Sequence, residues 1–276
     1  MSNNKNIQFT NNINYFRCPK CKSNMIMENN SLKCENNHCF DISKKGYINF
    51  LINRKPPEGY DKTFFEKRRE MLNDGFYEHI AKEITNILDN CTDVKNLVDA
   101  GCGDGYYSHI AEDKNHNIFA FDFSKDAINV ASRGVNNICF MVSDINNIPL
   151  KDNSMDCILN IYTPANYIEF KRILSDSGKI IKIVPGKEHL KELRHIIKEQ
   201  LKNEEYSNQE VIDCFKEHCE LINRVRAKNT IRVNSKQLEN LIRMTPLMFD
   251  IDLKNINYND ISEITIDGEI LVGKIK

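Results

Sequence analysis

The chain has no tryptophan, only 7 prolines and 11 glycines among 276 residues, and no surplus of charge of either sign. Lysine and arginine number 38 against 39 aspartates and glutamates, a formal net charge of −1. That balance excludes a general polycation coating nucleic acid or membrane, so any basic surface has to come from local clustering. No stretch approaches 18 consecutive apolar residues, which excludes a membrane-spanning helix. Residues 1–14 are polar and asparagine-rich, without the apolar run or small-residue cleavage site of a signal peptide. The expectation is a frayed, disordered tail on a cytoplasmic protein. No internal repeat is found. With 41% hydrophobic residues, the chain can still bury a sizeable core.

Against this spareness stand ten cysteines. In a reducing compartment they are expected as thiols or metal ligands. Cys18, Cys21, Cys34 and Cys39 fall within 22 residues, and the other six are scattered over the remaining 237. The spacing Cys18-x2-Cys21-x12-Cys34-x3-His38 reads as two knuckles closing a tetrahedron, and soft thiolates with an imidazole suit Zn²⁺. Four ligands leave no open position, so the site is expected to be structural. Cys39 is a second candidate for the fourth place. Three thiolates and a neutral imidazole leave the site at −1, whereas four thiolates leave it at −2. A two-histidine DNA-binding finger is excluded because only one histidine is near. A redox Cys-x-x-Cys is disfavoured because no βαβ unit precedes it.

The order of elements divides the chain into four. After the tail, 15–55 holds the cysteines and short β-like runs such as 47–52. A linker around Pro56-Pro57 leads into two amphipathic helices within 56–90, one carrying Phe64, Phe65, Arg68 and Leu72, the next Ile80, Ile84, Ile87 and Leu88. In 91–276, strands at 94–99, 118–121, 138–142, 155–160 and 179–184 alternate with helices, one of them at 125–132 with Ser124 as N-cap. Alternation implies parallel pairing through crossovers, an α/β sheet with helices on both faces. A long helix over 188–201, a strand in 220–233, a helix over 235–244 and a strand over 264–275 complete the reading.

The first strand runs into Asp99-Ala100-Gly101-Cys102-Gly103-Asp104-Gly105-Tyr106. This is where an open α/β sheet takes a nucleotide-like ligand. A dinucleotide fingerprint needs its third glycine at 106, where Tyr106 stands. Asp99, two residues before Gly101, suits a ligand with a positive end. Both features favour S-adenosylmethionine (SAM) over NAD. Asp122, directly after the second strand, is placed to accept the ribose hydroxyls. Asp144, after the third, is placed near the adenine edge.

These constellations, in this order, resemble the bacterial 23S ribosomal RNA (guanine-N1) methyltransferases over nearly the whole chain from Phe16. The resemblance rests on Cys18-Pro19-x-Cys21, Cys34-x3-His38-x-Phe40-Asp41, Lys45-Gly46-Tyr47-Ile48-Asn49-Phe50-Leu51 and Arg68-Arg69-x-x-Leu72-x-x-Gly75-x-Tyr77. It continues in the glycine turn, Ile161-Tyr162-Thr163-Pro164, Pro185-Gly186-x-x-His189-Leu190 and Met244-Thr245-Pro246. It implies a Rossmann-like class I SAM-dependent domain, with a mostly parallel seven-stranded sheet, and a small N-terminal zinc-binding, β-rich domain that recognises RNA. It implies SAM contacts from Tyr77, Gly103, Asp104 and His189, zinc ligands Cys18, Cys21, Cys34 and His38, and a homodimer. The chain departs from the family's pattern at Phe76, at Gly59-Tyr60-Asp61 and at Thr163.

The function expected is methyl transfer from SAM to N1 of a guanine in a hairpin loop of 23S ribosomal RNA, free or in a pre-ribosomal particle. No general base is identified; Asn160 and Tyr162 are placed near the target pocket. Residues 15–75 carry 12 basic and 8 acidic side chains. Lys44, Lys45, Arg54, Lys55, Lys67, Arg68 and Arg69 are the candidates for phosphate contact, and Tyr47, Phe50, Tyr60, Phe64 and Phe65 for base stacking. A small-molecule SAM methyltransferase would need neither the zinc segment nor these side chains. A catalytically silent RNA-binding protein would not need Asp99, Asp122 or the glycines. Because Pro56-Pro57 intervenes, the metal segment is expected to serve RNA and the remainder SAM.

Overall fold

The structure, a computed structural model, describes residues 6–51, 59–91, 93–112, 116–201, 206–258 and 260–276. The linker prolines lie outside the described residues. The first element is a short helix, α1 (Ile7–Asn11), with Phe9 fully buried and the Gln8 side chain reaching the Gly46 carbonyl. The described part of the expected tail is therefore packed structure. One buried phenylalanine among asparagines is too sparse a pattern to announce a helix. Strands β1 (Met25–Glu28), β2 (Ser31–Cys34) and β3 (Cys39–Asp41) form an antiparallel sheet.

The next strand, β4 (Tyr47–Asn49), leaves that small sheet and pairs in parallel with the strand over Ile138–Val142. Helices α2 (Lys62–Asn73) and α3 (Glu78–Asp89) follow. Asp61 caps α2 by accepting from Phe64 N–H. Ile80, Ile84 and Leu88 form the buried stripe of α3.

The central unit runs β5 (Asn96–Ala100), α4 (Tyr106–Glu112), β6 (Asn117–Asp122), α5 (Lys125–Ala131), β7 (Ile138–Val142), β8 (Met155–Ile161), α6 (Tyr167–Ile173) and β9 (Leu174–Pro185). Ser124 caps α5 by accepting from Ala127 N–H. Then come α7 (Lys191–Ile196), α8 (Gln209–His218), β10 (Cys219–Arg232), α9 (Ser235–Arg243) and β11 (Glu263–Ile275). The sheet order is β10-β11-β9-β8-β5-β6-β7-β4. β11 is antiparallel to both neighbours, and the strands from β9 to β4 are parallel. The expected seven strands become eight because the cysteine segment contributes β4 to the sheet edge. No helix among the described residues is long and apolar enough to cross a membrane.

The metal segment is not a separate body. Phe16, Leu32, Phe40, Ile48 and Phe50 share one apolar core with Val98, Phe119, Met141 and Ile158 of the sheet. Arg17 N–H bonds the Pro149 carbonyl, and Asn147 Nδ2 donates to the Pro19 carbonyl. The expected helix over 188–201 shortens to α7 and a 3-10 turn over Lys198–Gln200. Leu190, held at φ 54° with its N–H on the Thr265 carbonyl, prevents an earlier start.

Candidate active site and metal centre

Strand order reverses about β5: β6 lies on one side and β8 on the other, so the crevice past their C-terminal ends is the switch point of the sheet. A cavity of about 760 Å³ opens there. The glycine turn after β5 forms its floor, α2 one wall, and the stretches after β8, β9 and α9 the others. The turn needs its glycines. Gly101 stands at φ 76°, and a Cβ there would lie 2.5 Å from Thr163 Oγ1. Gly105, at φ 81°, backs onto Ala131 of α5 in the same way.

Of the eight residues singled out for the cofactor, Tyr77, Gly101, Gly103, Asp122 and His189 line the cavity. Asp122 Oδ2 accepts from Gly103 N–H at 2.9 Å and Oδ1 from Ser124 N–H at 2.8 Å, which leaves each oxygen further acceptor capacity. Asp99 sits beneath the turn and accepts from Ser108 Oγ at 2.5 Å. Burial pushes its carboxyl up to about 7. Asp104 is buried as well and faces Arg68 Nε at 3.4 Å. Asp144 caps the next turn by accepting from Asn146 N–H, while its neighbours Ser143 and Ile145 line the cavity. Five of the eight thus line the cavity, with Asp99 and Asp104 buried beneath the turn and Asp144 in the turn beside the wall.

The electrostatics suit a cation. Three carboxylates, Asp99, Asp104 and Asp122, surround the turn. Each is raised chiefly by burial, and the guanidinium in contact is that of Arg68. Arg69 turns away to the Val130 carbonyl at 2.7 Å. A sulfonium or ammonium relieves this surplus, whereas a pyrophosphate would add to it. The side-chain set therefore fits SAM.

The reading of residues 15–75 changes in the folded chain. Tyr47, Phe50, Phe64 and Phe65 are buried, so they offer no stacking plate on the outer surface. Phe64, Phe65, Tyr60 and Arg68 face the cavity instead. Arg54 and Lys55 lie outside the described residues, and Lys67 pairs with Glu70. Asn160 is fully buried and does not line the cavity. Its Nδ2 donates to the Pro164 carbonyl, and its Oδ1 accepts from Lys182 Nζ at 2.6 Å. Tyr162 does line it, at φ 53°, its ring stacked on His189 at 5.7 Å.

His189 Nδ1 accepts the Asp267 N–H at 3.2 Å, so Nε2 carries the ring proton. Burial and the Arg194 charge bring its pKa down to about 4. Sequence reading missed Arg194 and the Met244–Leu247 wall as cavity residues. For Arg194 the available signal was its position five residues past His189.

At the metal centre, Cys18, Cys21, Cys34 and His38 place their ligand atoms within 4.8 Å of one another. Cys21 Sγ lies 3.6 Å from Cys34 Sγ, and His38 Nδ1 lies 3.4 Å from Cys18 Sγ and from Cys34 Sγ. A tetrahedron with Zn–S bonds of about 2.3 Å has edges of about 3.8 Å, so the set fits Zn²⁺. Two tight turns build it. Lys22 at φ 67° closes the first and Asn37 at φ 59° the second, where His38 N–H also bonds Cys34 Sγ. Cys39 is exposed and turns to Asp41, 3.8 Å away. The cofactor pair is thus structural zinc and SAM.

Comparison with known proteins agrees with both halves. Residues 16–55 match a zinc-ribbon family described as RlmA, N-terminal, and residues 92–245 match a methyltransferase domain family. YxjB of Bacillus subtilis, provisionally named a 23S rRNA (guanine-N(1)-)-methyltransferase, is 30% identical over 94% of this chain and 96% of its own. The 23S rRNA (guanine(748)-N(1))-methyltransferase of Streptomyces fradiae is 27% identical over 85% of each chain. In a solved complex of the Haloferax volcanii Trm112 methyltransferase activator with a methyltransferase, a chain aligns with a TM-score of 0.51. It is 15% identical over 80% of this chain and 99% of that one, a likeness of fold.

Proposed function

Because this chain belongs to the family of 23S ribosomal RNA (guanine-N1) methyltransferases, we propose that it moves the methyl group of SAM to N1 of a guanine in a hairpin loop of that RNA. The carrying observation is the union, in one fold, of an acid-floored cavity at the switch point with a four-ligand metal centre packed on the same sheet. A small-molecule methyltransferase has no use for the second.

When bound, SAM supplies a methyl already activated by its sulfonium. The protein's part is alignment. Asp122 holds the ribose, the glycine turn admits the backbone close to the ligand, and Tyr77 and His189 close the amino-acid end. Tyr162, Thr163 and Pro164 form the wall nearest the turn and face the incoming guanine, which has to leave its stack to reach the cavity.

The metal segment is proposed to contact the RNA. A chain beginning near Asp61 is a poor test, because it would strip the sheet of β4 and of Phe16, Leu32, Phe40, Ile48 and Phe50. Lys20→Glu with Lys45→Glu is the cleaner one: RNA affinity and its salt dependence fall while SAM affinity stays. Dimerisation and a cytoplasmic location complete the proposal; light scattering tests the first.

The main experiment incubates the protein with tritiated SAM and either 23S ribosomal RNA or a metabolite extract, followed by nucleoside analysis. Label in 1-methylguanosine is the expected result. Label confined to a metabolite, or to another position of the RNA, overturns the reading.

A further inference from the structure

Loss of the guanine N1 proton is the part of this reaction that the cavity does not visibly serve. Among the described residues lining it, Asp122 is the carboxylate, and both its oxygens accept from backbone N–H groups at the ribose position. His189 has its Nδ1 occupied by the Asp267 N–H, so the nitrogen left to the cavity already carries its proton. Tyr60, Tyr77 and Tyr162 are pushed upward by burial and remain phenols. Among the described residues, no lining side chain is therefore set up as a general base.

The cavity does offer a cation. Two arginines line it, and Arg68 is paired with Asp104. Arg194 has no ion-pair partner among the described residues. Its Nε donates to the His189 carbonyl at 3.0 Å, and its guanidinium carbon lies 4.1 Å from the centre of the Tyr206 ring. These contacts fix the plane of the group and leave its two terminal nitrogens without a hydrogen-bond partner among the described residues. The nearby acids among the described residues are committed elsewhere; Glu204 and Glu205, just before Tyr206, lie outside the described residues. Asp267 is bonded by Arg226, Glu188 bonds Arg226 and Lys228, Glu192 accepts from Thr265, and Glu269 is held by Arg224 and Asn208. A half-buried guanidinium held flat, with free N–H donors at a ligand cavity, is arranged for an acceptor that arrives with the substrate.

Resting on the functional reading above, we propose that Arg194 hydrogen-bonds O6 of the target guanine and stabilises the negative charge that develops there as N1 is deprotonated, the proton passing to water. The N1–H bond breaks, and its electron pair is shared between N1 and O6. N1 attacks the methyl carbon, the carbon–sulfur bond breaks, and its electrons stay on sulfur as a neutral thioether. Arg194 replaces a proton acceptor with a charge that makes N1 more acidic, the role of an oxyanion hole in acyl transfer. It also favours guanine over adenine, which presents an amino group at that position.

The test uses the full-length protein, a 23S ribosomal RNA hairpin fragment and tritiated SAM in single-turnover mode from pH 6.5 to pH 9.5, with SAM affinity by calorimetry. Arg194→Met is expected to slow transfer by about 100-fold near pH 7. SAM affinity stays within about twofold, which also certifies folding. The deficit shrinks as pH rises, because alkaline solvent ionises N1 without help. Arg194→Lys, which keeps the charge, recovers part of the rate. A wild-type rate in Arg194→Met, a deficit equal at every pH, or a SAM affinity at least tenfold weaker overturns the assignment; the last would place Arg194 on the carboxylate of SAM. Wild-type protein that forms no 1-methylguanosine overturns the functional reading and the Arg194 assignment with it.

Discussion

Arg68 of α2 and Asp104 of the glycine turn form an ion pair whose carboxylate is 1% exposed, with Nε and Oδ1 3.4 Å apart. It ties α2 to the loop that floors the cavity. Neither Asp104 oxygen has a hydrogen-bond partner among the described residues, so the guanidinium is its main compensation. Arg68→Met is expected to lower stability by about 3–5 kcal/mol, since it strands a buried charge. Urea denaturation of the SAM-free protein measures it. A loss below about 1 kcal/mol would mean that water already reaches the carboxylate.

Asp122→Ala removes both the proposed ribose acceptor and the brace on Gly103 and Ser124. Hydrogen bonds to a charged acceptor contribute about 1.5–3 kcal/mol each, so SAM affinity should fall at least tenfold. Asp122→Asn should fall less, because the amide oxygen still accepts one bond. Calorimetry that ranks the two the other way would remove Asp122 from the ribose.

Asp99 carries a dependence on pH. An unfolded aspartate titrates near 3.9, whereas burial holds this one near 7. Between those values the unfolded chain gives up a proton that the folded chain keeps, so its contribution to stability falls as pH rises from about 4 to about 7 and is constant above. Asp104 and Asp122 are raised too and add to the same slope. Asp99→Asn keeps an acceptor for Ser108. It should flatten the slope and make the SAM-free protein more stable at pH 8 by about 1–3 kcal/mol. Thermal unfolding across pH checks this, and an unchanged slope would show that Asp99 is ionised throughout.

For the metal centre, His38→Ala should sharply reduce zinc content, while Cys39→Ser should keep one zinc per chain, since Cys39 is exposed and turned to Asp41. Metal analysis of the two purified variants decides between them. Removing the metal with a chelator should loosen more than the segment itself, because Cys18 and Cys34 belong to the core shared with β5, β6 and β8.

The strands from β5 to β9 were legible because each is an apolar run bounded by turn residues and separated by an amphipathic stretch. The same logic failed where burial is one-sided and thin. α8 buries only Ile212 and Phe215, and α6 only Phe170 and Ile173, so neither makes a strong stripe. β4 was legible as a strand but not as part of this sheet, since its partner lies far along the chain and three residues carry no register signal. At the site, the glycine turn and Asp122 followed from spacing. The cavity positions of Arg68 and Arg194 did not, because an arginine on a helix reads as solvated until its surroundings are known.

The pairing of β4 with β7 also has a consequence for how the chain is made. Tyr47 sits opposite Phe140, 93 positions later in the sequence (140 minus 47). At about 5–20 residues per second, translation leaves the metal segment outside the ribosome for roughly 5–20 seconds before its sheet partner exists. In that interval its apolar side chains, Phe16, Leu32, Phe40 and Phe50, have only the metal knuckles to organise them. Zinc captured early would hold β1, β2 and β3 in shape as a nascent template until β7 emerges. In a zinc-poor cell the same segment would wait unfolded and the edge of β7 would stay open, so loss of the metal would appear as poor yield of assembled protein before it appeared as weak RNA binding.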